Sequence, residues 1–330
     1  MKTNETMTID GVQIDHQYPT LNGIRYHYAE AGEGPLVVML HGAFELWYSW
    51  RHQLAALAEA GYHAVAPDLR GFGESEVSPN VRDYSLSQHA KDVKALIDHL
   101  GATEAVVIGH DWGANLMWII PMLYPQTVKA VVSISIPFYP EPRDPAKMKN
   151  FFTGKFSFMG YFQKPGAAEE EFNQDPERFF RLFIYGFSGD APKGTVDNLF
   201  ANKPADATLL EGFPEPSEFP SWLSQQDVDY FVQAYKRTGI TGALNFYRNT
   251  ETDYPFLKKI YQKEIPQPAL FIGGGEEAAV KYGNLELMKT ALPNLRKTVI
   301  LNCGHYVQQE RKDEVNSELR DFLDAEIKGA

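Results

Sequence analysis

The chain has 330 residues, 44% of them hydrophobic, enough for one large core or for a core with an inserted cap. Its formal net charge of -12 comes without a basic block, which argues against a nucleic-acid partner and fits a well-solvated surface. The single cysteine, Cys303, rules out an intrachain disulfide, and no apolar run approaches the ~18 residues of a membrane span. The stretch Met1 to Asp10 is polar with no apolar signal core, so the expected location is reducing and cytoplasmic.

Val12 to Tyr28 alternates polar and apolar residues around Asn22-Gly23 and reads as an antiparallel hairpin at a sheet edge. Pro35 to Leu40 is a short buried strand ending in His41-Gly42-Ala43-Phe44. A helix from about Trp47 to Ala60 is closed by Gly61, and His63 to Leu69 is the next strand, running into the loop Arg70-Gly71-Phe72-Gly73-Glu74-Ser75. Ser85 caps a helix that reaches Leu100 and is closed by Gly101. The apolar strand around Val106-Val107-Ile108, a helix after it and the strand Ala130 to Ile136 follow. Strands alternating with helices predict an α/β protein with a mostly parallel, doubly wound sheet, whose chemistry gathers at the carboxyl ends of the strands. His41, Asp111 and the loop after Leu69 are all placed there.

From Pro137 to about Asn249 the parallel-strand pattern stops. Fifteen of the 21 Phe lie between Phe151 and Phe246, which predicts a mostly helical cap whose aromatics are shared between its own core and an apolar cavity. The sheet resumes over Pro268 to Glu277, a helix runs to about Leu292, and the last strand, Lys297 to Leu301, ends in Asn302-Cys303-Gly304-His305. An amphipathic helix from Asp313 to Ile327 closes the chain. The expected division is a first core part over 1–137, a cap over 138–249 and a second core part over 250–330. No dinucleotide glycine fingerprint and no metal-ligand cluster appears, so neither cofactor nor metal is expected; oligomeric state is not legible.

The chemistry is carried by Gly109-His110-Asp111-Trp112-Gly113. Glycines two residues on either side of a nucleophile, between an apolar strand and a helix, make the nucleophile elbow of α/β-hydrolases. Asp at the tip, rather than Ser, selects the reaction. A carboxylate attacks an electrophilic sp³ carbon and leaves an alkyl-enzyme ester, so suitable substrates are epoxides and alkyl halides. Hydrolysing that ester takes a base and an acid that orients it. His305, in the loop opened by Gly304 after the last strand, is the base. The acid should follow the strand ending near Gly275, where Glu276 and Glu277 both stand, with Glu277 favoured; Glu141 is a third, weaker candidate.

From about Gly23 to Phe322 the chain resembles the soluble and microsomal-type epoxide hydrolases of the α/β-hydrolase superfamily. The resemblance rests on His41-Gly42-Ala43-Phe44-Glu45-Leu46-Trp47-Tyr48-Ser49-Trp50-Arg51, on the elbow with Asp111-Trp112, on Tyr161-Phe162-Gln163-Lys164-Pro165-Gly166, on Asn245-Phe246-Tyr247-Arg248-Asn249 and on Cys303-Gly304-His305. It implies that Asp111 attacks an epoxide carbon and that Tyr247 donates to the epoxide oxygen. It also implies that the backbone N–H groups of Ala43 and Trp112 hold the oxyanion, and that Glu277 orients His305. Phe44, Phe158, Tyr161 and Trp112 are expected against the substrate, an apolar epoxide that with water yields a vicinal diol.

Three positions depart from the family pattern. Phe158 stands where the first of two cap tyrosines is expected, so either Tyr247 acts alone or Tyr161 turns inward. Phe44 replaces the proline of the His-Gly-x-Pro motif, which favours a trans bond and a differently shaped oxyanion loop. Glu277 replaces Asp. Two alternatives stay open at this point: a haloalkane dehalogenase, with Trp222 as a cap donor to halide, and a low-turnover hydrolase-like binding protein.

Overall fold

The computed structural model describes residues 6–151, 153–199 and 203–329. Its centre is a nine-stranded sheet in the order β1-β2-β5-β7-β6-β8-β9-β10-β11. The strands are β1 (Thr6–Ile9), β2 (Val12–Gln17), β5 (His27–Ala31), β6 (Leu36–Leu40), β7 (His63–Asp68), β8 (Ala105–His110), β9 (Val128–Ile134), β10 (Ala269–Gly274) and β11 (Leu295–Leu301). From β7 to β11 every pairing is parallel, while β1, β2, β5 and β7 pair antiparallel. The parallel strands are covered on both faces, which is why β6 and β8 are buried at every residue and read as unbroken apolar runs.

Around the sheet the helices α1 (Arg51–Glu59) and α15 (Lys312–Leu323) pack together, as do α2 (Leu86–His99) and α3 (Trp112–Leu123). Ser85 caps α2 by accepting the Gln88 N–H, as its position predicted. Between β9 and β10 the described residues form helices only: α4 (Pro145–Phe151), α5 (Phe158–Phe162), α6 (Ala167–Gln174), α7 (Pro176–Phe187), the single turn α8 (Thr195–Asp197), α9 (Gln225–Thr238), α10 (Thr241–Arg248) and α11 (Thr250–Ile260). This block is tied to the loop after β6: Tyr230 accepts from the Trp47 indole at 2.8 Å, Asp227 accepts from Tyr48 at 2.9 Å and pairs with Arg51 at 3.1 Å, and Tyr235 donates to the Glu45 carbonyl at 3.0 Å. Among the described residues no helix is long and apolar enough to cross a membrane.

Several boundaries differ from expectation for local reasons. The outermost strand is β1, within the stretch read as a polar tail; a turn through Asp10 and Gly11, both at positive φ, folds it back onto β2. The Asn22-Gly23 turn joins a separate two-residue pair, β3 (Thr20–Leu21) with β4 (Ile24–Arg25). The helix expected from Trp47 starts as a 3₁₀ turn over Trp47–Trp50. The one expected up to Leu292 is broken into α12 (Ala278–Lys281) and α13 (Leu285–Ala291), with Gly283 between them and Asn284 capping the second.

Candidate active site

Asp111 sits at φ 51°, ψ -118°, a conformation that L-residues rarely adopt, on the turn from β8 into α3. The flanking glycines leave room for it: a Cβ on Gly109 would lie 2.3 Å from the Gly113 carbonyl oxygen, and one on Gly113 would lie 2.1 Å from that of Leu40. Its Oδ1 accepts the Ala43 N–H at 2.9 Å, and the Trp112 N–H also acts on the carboxylate. Burial raises the Asp111 pKa, opposed by the charges of His305 and His110 and by those two backbone donors.

The His305 ring stands beside it, with Nε2 3.9 Å from Asp111 Oδ2. On the other side Nδ1 meets Glu277 Oε2 at 2.5 Å, while Glu277 Oε1 accepts the Ala279 N–H at 3.0 Å. Burial alone would depress the His305 pKa; the carboxylates of Glu277, Asp111 and Glu45 outweigh it and lift it to about 9. Burial likewise works to raise the Glu277 carboxyl, but the charge and hydrogen bond of His305 hold it below its ordinary range. Of the three candidate acids, Glu277 meets His305; Glu276 faces Lys281 at 3.7 Å instead, and Glu141 lies on the cavity wall.

A cavity of about 590 Å³ opens above these groups, and Ala43, Phe44, Asp111, Trp112, Phe158, Tyr247 and His305 all line it. The Tyr247 ring stands edge-on to Trp112 at 5.1 Å and to Phe158 at 5.9 Å. Burial and the charge of Asp111 push its pKa well above 10, so the phenol keeps its proton; the Trp112 side chain pulls the other way. Phe44 sits at φ 59° and packs on Phe162, Phe179 and Phe183, which fixes the loop after β6 without a proline. Phe156, Phe158, Phe183, Phe187 and Phe213 face the cavity, whereas Phe162, Phe172, Phe179, Phe180, Phe231 and Phe246 are buried away from it.

One expectation is corrected. Tyr161 does not turn inward: its hydroxyl donates to Glu171 at 2.8 Å, and its side chain is not on the cavity wall. A carboxylate ten residues along the chain, in α6, offers a charge-assisted bond that an apolar cavity does not. Trp222 is also absent from the wall; its indole donates to Asp190 at 2.8 Å.

Two groups escaped the sequence reading. Glu45 lies beneath the elbow, accepting the Gly42 N–H at 2.7 Å and meeting His110 Nδ1 at 2.5 Å, while His110 Nε2 faces the His305 carbonyl at 2.8 Å. The signal was a lone acid in the aromatic run from Phe44 to Trp50. Glu310 takes three backbone N–H groups, those of Gly189 and Gly304 at 2.8 Å and of Tyr306 at 3.0 Å, and so ties the loop after α7 to the loop of His305. Beside it the His305 N–H donates to the Phe187 carbonyl at 2.9 Å. No local motif marks Glu310, because its partners are all main chain.

Comparison with known proteins gives a consistent picture. A family model described as alpha/beta hydrolase fold matches residues 35–312. Epoxide hydrolase A of Mycobacterium tuberculosis is 37% identical over 307 residues, covering 92% of this chain and 95% of that protein. Among solved structures, epoxide hydrolase A from Mycobacterium thermoresistibile matches with a TM-score of 0.88 and 36% identity over 94% of this chain and 98% of that one. An epoxide hydrolase from an endophytic Streptomyces matches at 0.87 and 38% identity, over 94% and 95%.

Proposed function

This chain belongs to the α/β-hydrolase fold family and within it to the epoxide hydrolases, and from that premise we propose that it converts an apolar epoxide to a vicinal diol through an ester on Asp111. The observation that carries the mechanism is the division of labour at the Asp111 carboxylate. Oδ1 is held by the Ala43 N–H, and Oδ2 points toward His305 without a hydrogen bond to it. Oδ2 attacks a ring carbon, the carbon–oxygen bond breaks, and its electron pair moves to the ring oxygen. Tyr247 donates to that oxygen, which offsets the basicity of the leaving alkoxide.

In the second step Nε2 of His305 takes a proton from water, and the hydroxide attacks the ester carbonyl. The negative charge develops on Oδ1, which already accepts the Ala43 N–H, with the Trp112 N–H acting on the same carboxylate. Collapse releases the diol and restores the carboxylate, and one water has been consumed. His305 starts as an imidazolium at neutral pH because three carboxylates raise it. Alkylation removes the charge of Asp111 and lowers the pKa of His305, whose Nε2 proton passes to the alkoxide that Tyr247 holds. The neutral ring then takes the proton of the attacking water. The acid proton left on Asp111 at collapse goes to the departing oxygen, and the cycle ends with carboxylate and imidazolium restored.

We take residues 138–249 as the cap that supplies Tyr247 and Phe158 to the core halves 1–137 and 250–330. The buried lone thiol of Cys303 fits a reducing cytoplasmic setting. Halide capture by Trp222 is not supported, since its indole is committed to Asp190 outside the cavity.

The test is a mass spectrum of His305→Gln protein after exposure to styrene oxide and, separately, to 1-bromobutane. An adduct of intact epoxide mass on the Asp111 peptide is expected. A butyl adduct alone moves the chain to dehalogenation, and no adduct from either reagent on folded protein refutes the two-step scheme.

A further inference from the structure

We propose that Lys203 forms an anion-accepting subsite in the cavity wall, selecting epoxides that carry a carboxylate at the end remote from the ring. The inference rests on the reading of this cavity as the place where Asp111 opens an epoxide.

Lys203 is only 8% exposed and lines the same cavity as Asp111, His305 and Tyr247. Its Nζ donates to the Leu209 carbonyl at 2.7 Å and lies over the faces of Phe156, at 4.2 Å, and Phe213, at 5.6 Å. One of three ammonium donors is thus used by the protein. Among the described residues Nζ has no carboxylate within ion-pair distance: Glu171 and Glu211 act on it only through space. Glu171 is unavailable because its oxygens take the Tyr161 hydroxyl and the N–H groups of Leu209 and Leu210.

A buried, uncompensated ammonium is costly, and the cost shows in its pKa, which burial pulls down to about 8. Tying Lys203 to the Leu209 carbonyl takes one neutral donor and no charge. The charge is therefore surplus to the structure and available to a ligand. Among the described residues six acids share the wall, Asp111, Glu141, Asp197, Asp253, Glu276 and Glu277, and none pairs with Lys203: Asp197 and Glu276 face Lys281 at 3.0 and 3.7 Å, and Glu277 holds His305. From Lys203 to the site the wall runs through apolar rings: Phe213, under its Nζ, packs on Phe187 at 5.4 Å, and the Phe187 ring stands 6.2 Å from that of His305. About 590 Å³ accommodates a chain well beyond the epoxide itself. The matching occupant has a reactive ring at one end, an apolar body and a carboxylate that completes the ion pair of Lys203.

The experiment compares two unreactive ligands of one shape, undecanoate and undecanamide, by calorimetry on wild type, Lys203→Met and Lys203→Arg. Wild type is expected to bind the carboxylate at least about tenfold more tightly. Lys203→Met abolishes the preference while leaving the amide within about twofold, and Lys203→Arg retains it. Equal binding of the two ligands by wild type, or a preference that survives in Lys203→Met, overturns the proposal. If Lys203→Met does not melt cooperatively, Lys203→Gln replaces it, and the wild-type comparison decides by itself against the subsite. Styrene oxide turnover is measured in parallel; its absence refutes the reaction assignment, while the binding comparison still settles the subsite.

Discussion

Oδ2 of Asp111 and Nε2 of His305 stand 3.9 Å apart, near enough to share charge and too far to hydrogen-bond. In the proposed mechanism the attacking oxygen is therefore not masked by a proton of His305, and the Asp111 carboxylate helps to keep His305 charged until alkylation. Replacing Asp111 by Asn removes one of the carboxylates that raise His305. The His305 imidazole is expected to titrate below its wild-type value of about 9 in that variant, as followed by NMR. An unchanged titration contradicts the coupling.

The same substitution removes the attacking group. Initial diol formation by Asp111→Asn should fall by at least about a thousandfold, as when the nucleophile of a catalytic triad is deleted. Rates are read within minutes of mixing, before slow deamidation regenerates Asp. Undiminished turnover sinks the nucleophile assignment.

Phe158 faces Tyr247 across 5.9 Å but offers no hydroxyl, and Tyr161 is committed to Glu171. Phe158→Tyr supplies a second donor to the departing alkoxide. Single-turnover alkylation should accelerate by roughly 10–100-fold, below the effect of an oxyanion-hole donor. No gain means that Tyr247 alone meets the need.

Glu277→Gln leaves the His305 ring without the charge that orients and raises it. Loss of kcat by roughly a hundredfold or more is expected, with less loss in the alkylation step, by the logic of a triad acid. The stability signature has a definite sign. His305 titrates near 9 in the folded chain against an ordinary 6.5, so the wild-type pair stabilises fully below 6.5 and loses that contribution as pH rises through 9. In the variant, unfolding monitored across this range should flatten.

Beneath the elbow, Glu45 and His110 are both buried and meet at 2.5 Å. Burial opposes the Glu45 charge, yet the His110 charge and hydrogen bond bring its pKa down to about 2 from an ordinary 4.5. Its stabilisation is present above pH 4.5 and disappears as pH falls toward 2. Glu45→Ala strands a buried imidazole and should cost about 3–5 kcal/mol in urea unfolding at neutral pH. A midpoint equal to wild type removes Glu45 from the support of the site.

Much of this was legible in the residues. The buried parallel strands read as apolar runs, Ser85 as a cap, and Gly109-x-Asp111-x-Gly113 as an elbow, because each rests on local sterics or periodicity. Glu277 was favoured as the acid, with Glu276 and Glu141 beside it as candidates, since which carboxylate turns inward depends on the loop that follows β10. Tyr161 was misplaced because its partner, Glu171, lies in a neighbouring helix whose packing no local pattern reveals. β1 was missed because its pairing is set by a positive-φ turn through Asp10, which is unusual for a residue other than glycine.

The junction of Phe187 and Gly189 with His305 and Gly304 bears on how such enzymes can be recombined. A side chain on residue 189 would come within 2.8 Å of Cys303 Cα, and the carbonyl of residue 187 receives the main-chain N–H of His305. A chimaera that imports another cap must therefore bring a glycine and a correctly aimed carbonyl at these two positions. Lacking them, it inherits a complete set of reactive side chains on a misaligned hinge.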